Sequence, residues 1–390
     1  MRTRTVAVLL AVVLALGGVA TVALVGGTGG ALSEAWVSDT ARNNTVNHHA
    51  VGADGGVVVA PVAAVPGAER VGPDSCTLAR LSPASGATQW RASVPPEDCF
   101  THALTEPAIA DVDGDGRREV VAATTENATV VYAAEDGHEQ ARLPLTTYGY
   151  GRPTVANLTD APTPEIVSAD IRGTVVVGRA DGTVLWNRTL GSSTWAAPVV
   201  ADVDADGTRD VLVGTNHGVV LLAPDGDVTW RADVSGDAIA VAQADDDPAL
   251  EVFATGSDGV RALDGDTRAV EWTYETEGAP TLRAATDGDG DGHPELYLGV
   301  PGNVVVAVDA NGTEAWRTRL APEANAVTPA PIVGDLTGDG SSELVATTNA
   351  GGVRILDPAT GDELATSDRE VPIWTFPTVA NVTDDPGDEV

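Results

Sequence analysis

The stretch PAIADVDGDGRREVVAATT, Pro107 to Thr125, places a nine-residue acidic turn, Asp111 to Glu119, between two short apolar runs. The runs are rich in small and β-branched residues and too short for a helix, so the unit reads as a β-hairpin around its turn. Five later stretches align with it without gaps: PTVANLTDAPTPEIVSAD from Pro153, PVVADVDADGTRDVLVGT from Pro198, IAVAQADDDPALEVFATG from Ile239, RAATDGDGDGHPELYLGV from Arg283 and PIVGDLTGDGSSELVATT from Pro331. A further copy, PTVANVTDDPGDEV, runs from Pro377 to Val390. The acid closing each turn falls at Glu119, Glu165, Asp210, Glu251, Glu295, Glu343 and Glu389, at intervals of 41 to 48 residues.

A period in the forties is the length of one four-stranded propeller blade. Each unit supplies four runs: PVVADVD and DVLVGT flank the turn, GVVLLAP follows a glycine, and DVTWRADV follows Asp-Gly. A tryptophan recurs in the last run at Trp186, Trp230, Trp272 and Trp316, and Trp90 holds the same place in ATQWRASV. A large flat side chain at a fixed point of each blade is expected to pack between neighbours. The expected fold is an all-β propeller of seven four-stranded blades. Six full repeats span 107–376, and residues 57–106 supply three strands of a closing blade whose innermost strand would come from 377–390. The alternative is that NHHAVGADGG supplies that strand and the last residues begin an eighth blade. Residues 31–56 then read as a linker or a first strand.

The 390 residues carry 57 Asp+Glu against 22 Lys+Arg, a formal net charge of −35. All 22 cations are arginine. A field of that sign excludes a partner bound through nucleic-acid phosphates. Abundant acids, no lysine and small core residues resemble the proteins of salt-loving, haloarchaeal-type microbes, where salt screens the self-repulsion. At the N-terminus, Arg2 and Arg4 precede an uncharged apolar run from Val6 to Val25. Residues 1–30 therefore read as an uncleaved membrane anchor or a cleaved secretory signal, and both place the rest outside the cytoplasm. Asn-x-Thr acceptors at Asn43, Asn127, Asn157, Asn187, Asn311 and Asn381 fit export. Cys76 and Cys99 either pair in an oxidising compartment or stand as buried thiols; export favours the disulfide.

The DVDGDGRRE hairpins resemble FG-GAP, or VCBS-type, repeats, and the LDGDTRAVEW, VDANGTEAW and LSPASGATQW turns resemble the PQQ-like repeat, in which a Gly-containing turn leads to a docking Trp. The first resemblance implies calcium held by side chains at loop positions one, three, five and nine and by the position-seven carbonyl, with glycine at six for the sharp turn. It transfers to Asp111, Asp113, Asp115, Glu119 and the Arg117 carbonyl. It transfers equally to Asp202, Asp204, Asp206, Asp210 with Thr208, and to Asp287, Asp289, Asp291, Glu295 with His293. The sixth turn keeps Asp335, Asp339 and Glu343 but has Thr337 at position three, so a weaker site is expected there. The second, fourth and terminal turns depart further, with Asn157, Gln243 and Asn381 at position one and no Gly at six. The three fullest acid sets all keep that Gly, which general acidity would not enforce.

No catalytic constellation stands out. Cys76 and Cys99 are not the adjacent pair of quinone-dependent dehydrogenases, and G-x-S-x-G and phosphate-loop motifs are absent. The six histidines show no metal-ligand spacing, and His48-His49 reads as a linker pair. The expected function is a non-catalytic, calcium-stabilised adhesion or interaction module at the cell surface, with a protein or glycan partner. Alternatives are a carbohydrate-active enzyme on the same propeller and a PQQ-like scaffold for envelope assembly.

Overall fold

The computed structural model describes residues 30–32, 34–40, 45–68, 71–322, 327–369 and 371–390. Within them the chain forms seven blades of four antiparallel strands and no helix; Gly30–Ala31 adds a short parallel strand to the last blade and Thr45–Val46 a short antiparallel one to the first. Blade one runs Gly52–Asp54, Val57–Ala64, Thr77–Leu81, Thr88–Ser93, and blade two Ala108–Ala110, Glu119–Thr124, Ala128–Ala133, Glu139–Pro144. Blades three to six repeat that order to Arg319, and blade seven closes the series with Ile332–Gly334, Glu343–Thr347, Gly352–Leu356 and Glu363–Asp368. The innermost strands of neighbouring blades pack against one another around a central channel.

The two middle strands of a blade are buried on both faces, as in Glu119–Thr124 and Asp210–Thr215, because each blade is sandwiched between two others. This is why they read as continuous apolar runs of Val, Ala and Leu. The outer strands alternate instead, as in Val184–Thr189, with one face turned to solvent.

The tryptophans dock as expected. The indole N–H of Trp186 donates to Pro224 O at 2.8 Å, that of Trp272 to Ala310 O at 2.8 Å and that of Trp316 to Pro358 O at 2.7 Å, each in the outer turn of the following blade. Glycine in that turn lets the ring lie flat. At Gly226, with φ +85°, a Cβ would stand 2.7 Å from the Trp186 ring.

Blade one closes differently from the expectation that Pro377–Val390 supplies its innermost strand. That strand is Gly52–Asp54, paired with Val57–Val59. The reason is local: Gly55 and Gly56 both adopt positive φ (52° and 79°), as a two-residue hairpin turn of the type I′ class demands. A tight local hairpin closes with less entropy than pairing with the far end of the chain. Residues 377–390 instead fold on themselves, with Ala380 bridging Glu389, and lie between blades seven and one. Val379 packs against the blade-seven cluster that includes Leu336 and Ile355, and Val382 against the blade-one cluster that includes Val58 and Leu81. Trp36 shares that gap and donates to Pro83 O at 2.5 Å, docking on blade one as the other tryptophans dock on theirs. The apolar run Val6–Val25 lies outside the described residues; among those described, no helix is long and apolar enough to cross a membrane.

Candidate functional site

Antiparallel order puts the acidic turns and the Trp-docking turns on one end of the propeller. The connections between blades lie at the other end. On the acidic end, the carboxylates of Asp111, Asp113 and Asp115 converge within 4.8 Å of one another, as do those of Asp202, Asp204, Asp206 and of Asp287, Asp289, Asp291. Backbone N–H groups shape each loop: Asp111 accepts from Gly114 at 2.7 Å and from Gly116 at 2.9 Å, and Asp115 accepts from the Arg117 N–H at 2.8 Å. The His293 and Thr208 amides repeat that last bond, to Asp291 and Asp206. In the 335–343 loop, Asp335 accepts from Gly338 and Gly340, while Thr337 contacts it only at 3.5 Å.

The position-nine acid behaves unlike the other three. It is buried, or half-buried at Glu389, and accepts the position-two N–H: Val112 to Glu119 at 3.0 Å, Leu158 to Glu165 at 2.9 Å, Val203 to Asp210 at 3.3 Å and Ala244 to Glu251 at 2.5 Å. Gly288 to Glu295 at 3.0 Å, Leu336 to Glu343 at 2.8 Å and Val382 to Glu389 at 2.8 Å complete the set. Every turn has this clamp, whatever fills its other positions. Burial pushes the Glu119, Glu295 and Glu343 carboxyls up, and lifts Asp210 to about 7 with help from neighbouring Asp204. One oxygen of each thus serves the hairpin.

In the departing turns side-chain donors serve the loop oxygens, although Glu251 Oε1 of the fourth has no hydrogen-bond partner among the described residues and converges with Asp245 and Glu271. Gln243 Nε2 donates to the Asp247 and Ala249 carbonyls at 2.6 and 3.2 Å, and Asn381 Nδ2 donates to those of Asp385 and Gly387 at 3.0 and 3.2 Å. These are the position-five and position-seven oxygens. Thr159 and Thr383 donate their hydroxyls to the second oxygens of Glu165 and Glu389. Amide and hydroxyl donors therefore occupy the centre of turns that lack the acid set. Sequence reading discounted these turns without seeing that Asn and Gln at position one are donors.

At the opposite end a funnel of ≈ 880 Å³ opens into the channel. Glu106, 5 % exposed, receives both Arg283 nitrogens at 2.5 and 2.9 Å, with Arg152 at 3.7 Å. Arg283 also lies 4.2 Å over the Phe376 ring. The rim is aromatic: Phe100, Trp195 and Trp374 are 39, 41 and 65 % exposed, with Tyr148 and Tyr150 between them.

The Cys76–Cys99 disulfide ties the blade-one strand at Thr77 to the connection carrying this rim. The same connection brings His102 to His48 and His49, ring centroids 4.4 and 6.4 Å away. The linker reading of His48-His49 is thus corrected: the pair is packed into the rim, against a residue more than fifty positions later.

Residues 171–289 match the family model described as outer membrane protein assembly factor BamB. That model describes a PQQ-like repeat. The outer membrane protein assembly factor BamB of Burkholderia pseudomallei is 28 % identical over 160 residues, which is 40 % of this chain and 40 % of that protein. The chain thus spans about two fifths of the length of that curated relative. Among solved structures, BamB from Moraxella catarrhalis superposes with a TM-score of 0.60 at 14 % identity, covering 87 % of this chain and 92 % of that one. The computationally designed Ika8 protein gives 0.60 at 16 % over the same shares. These structural likenesses concern the fold alone.

Proposed function

We propose that this chain is a non-catalytic propeller scaffold of the cell envelope that binds another protein through the aromatic rim of its channel. The rim carries the reading: Trp374, Trp195 and Phe100 are exposed together around a throat plugged by the Glu106 ion pairs. Exposed aromatic side chains grouped on one face are what protein interfaces use as anchors. The BamB match over 171–289 supports assembly work in the envelope ahead of adhesion, since BamB is named as an assembly factor. A location outside the cytoplasm agrees with the Cys76–Cys99 bridge.

On the acidic end, we propose calcium in the 111–119, 202–210 and 287–295 turns, and more weakly in 335–343. Three carboxylates of one loop converge there with no side-chain amide at the centre, which suits a cation, whereas Gln243 and Asn381 put an amide N–H in that place. The ion's work is to staple hairpins, away from the binding rim.

A photo-crosslinking side chain placed at Trp374 or Trp195 in the native envelope should capture one discrete protein, and the same group at Thr208 on the acidic end should not. Capture from both ends alike, or from neither, would remove the rim as the binding surface.

A further inference from the structure

We infer that His48, His49 and His102 form a binding site for one divalent transition-metal ion at the mouth of the channel. The three side chains each bring a ring nitrogen within 4.8 Å of the others. His49 Nε2 and His102 Nδ1 are shut from solvent and have no hydrogen-bond partner among the described residues. The His48 Nε2 contact to the Tyr150 hydroxyl, 3.4 Å, is long for a hydrogen bond. Buried polar atoms left in this state cost free energy unless something accepts their lone pairs. Edge-on packing of the rings accounts for their proximity, with His48 4.9 Å from His49, but it leaves those nitrogens unpaired.

The donor set selects the ion. The acidic turns lie at the other end of the propeller, so this cluster offers imidazole alone, which suits zinc, copper, nickel or cobalt over calcium or magnesium. Metal binding here requires the imidazoles in their neutral form, so it should weaken as pH falls. Three nitrogens around a tetrahedral ion sit about 3.3 Å apart. The three nitrogens already lie within 4.8 Å of one another and would close to that spacing around an ion. His102 is anchored three residues after the bridged Cys99, and His49 precedes the buried Ala50. A hollow of ≈ 430 Å³ lined by His48, His102, Phe100 and Trp374 leaves room for a fourth ligand, water or a partner's side chain. The ion would tie the segment before blade one to the connection leading into blade two.

Zinc titration of the chelator-stripped full chain tests this, in molar potassium chloride with millimolar calcium to occupy the carboxylates. One saturable equivalent is expected. His49→Gln and His102→Gln should each weaken it by more than the 10–100-fold that loss of an outer-shell partner costs, and the exposed His217→Gln should not. Cobalt in place of zinc should give the intense visible absorption of a four-coordinate site. Metal-free melting of each variant separates lost binding from lost folding. Absence of the equivalent, its retention in both cluster variants, or a weak six-coordinate cobalt spectrum would overturn the site.

Discussion

The side-chain amide of Gln243 donates to the Ala249 carbonyl at 3.2 Å, filling the centre of its turn with an N–H where the 111–119 turn presents three converging carboxylates. The seven hairpins thus share one clamp and diverge in what their centres require. Millimolar calcium is expected to raise the melting temperature in molar salt, where charge screening is already saturated. At a hundredfold excess over the dissociation constant each site contributes about 2.7 kcal/mol. Asp111→Ala, Asp113→Ala and Asp115→Ala should each reduce the rise, whereas Asp245→Ala and Asp247→Ala should leave it nearly unchanged. Thr337→Asp should enlarge it. An equal loss from both turns would reduce DVDGDGRRE to an acidic bend.

Glu251 gives a pH dependence of known sign. Burial, then the nearby Asp245, lifts its carboxyl from 4.5 to about 7, with Glu271 adding to the repulsion and the Ala244 N–H opposing it. A raised folded pKa means the native state holds the proton more tightly than the unfolded chain. The group therefore costs nothing below pH 4.5, and its penalty grows as pH climbs from 4.5 to 7. Glu251→Gln keeps an oxygen for Ala244 and removes the charge. Urea unfolding of wild type and variant should show the variant gaining about 1–3 kcal/mol between pH 4.5 and 7. A difference that stays flat with pH would contradict this account of the fourth turn.

Most of the propeller was legible because its determinants are local and repeated. The Asp-rich turn, the Gly of the outer turn and the Trp that lies on it recur in register, and each meets only the next blade. For the closing strand the preferred reading, 377–390, fails and the alternative, NHHAVGADGG, contains it at Gly52–Asp54, beside the Gly55-Gly56 turn. Homology to the other inner strands outweighed a simple turn. Trp36 escaped notice because it lies ahead of the repeats and in no strand. The histidine cluster had no readable spacing: His49 and His102 meet only because the disulfide and the blade-one hairpin bring two connections to one rim. Position nine was read as a calcium ligand, and only geometry reveals its bond to position two.

The Cys76–Cys99 bridge encloses a separation of 23 residues and holds the connection on which Phe100 and His102 stand. Closing a loop of that length contributes roughly 3 kcal/mol by restricting the unfolded chain. The double variant Cys76→Ala/Cys99→Ala should lose about that much in denaturant unfolding, and its rim should exchange amide hydrogens faster while blades four and five stay protected. Uniform loss of protection in all blades would mean that the bridge stabilises the whole ring rather than this connection.

Glu106 and Arg283 come from blades on different sides of the channel, 177 positions apart, and meet through two hydrogen bonds in a setting where the acid is nearly inaccessible. Removing one member leaves the other without its counter-charge in a poorly solvated throat, which costs more than the pair itself is worth. Glu106→Gln should therefore destabilise by about 3–5 kcal/mol, because Arg283 and Arg152 then face each other without an anion. Arg283→Met alone should cost less, since Arg152 remains to serve Glu106 at 3.7 Å. In the double variant, the loss should fall well short of the sum of the singles, because the stranded cation is gone. Denaturant unfolding of the four proteins completes the cycle. Additive losses would mean that the two side chains stabilise their own blades separately and that no electrostatic tie crosses the channel.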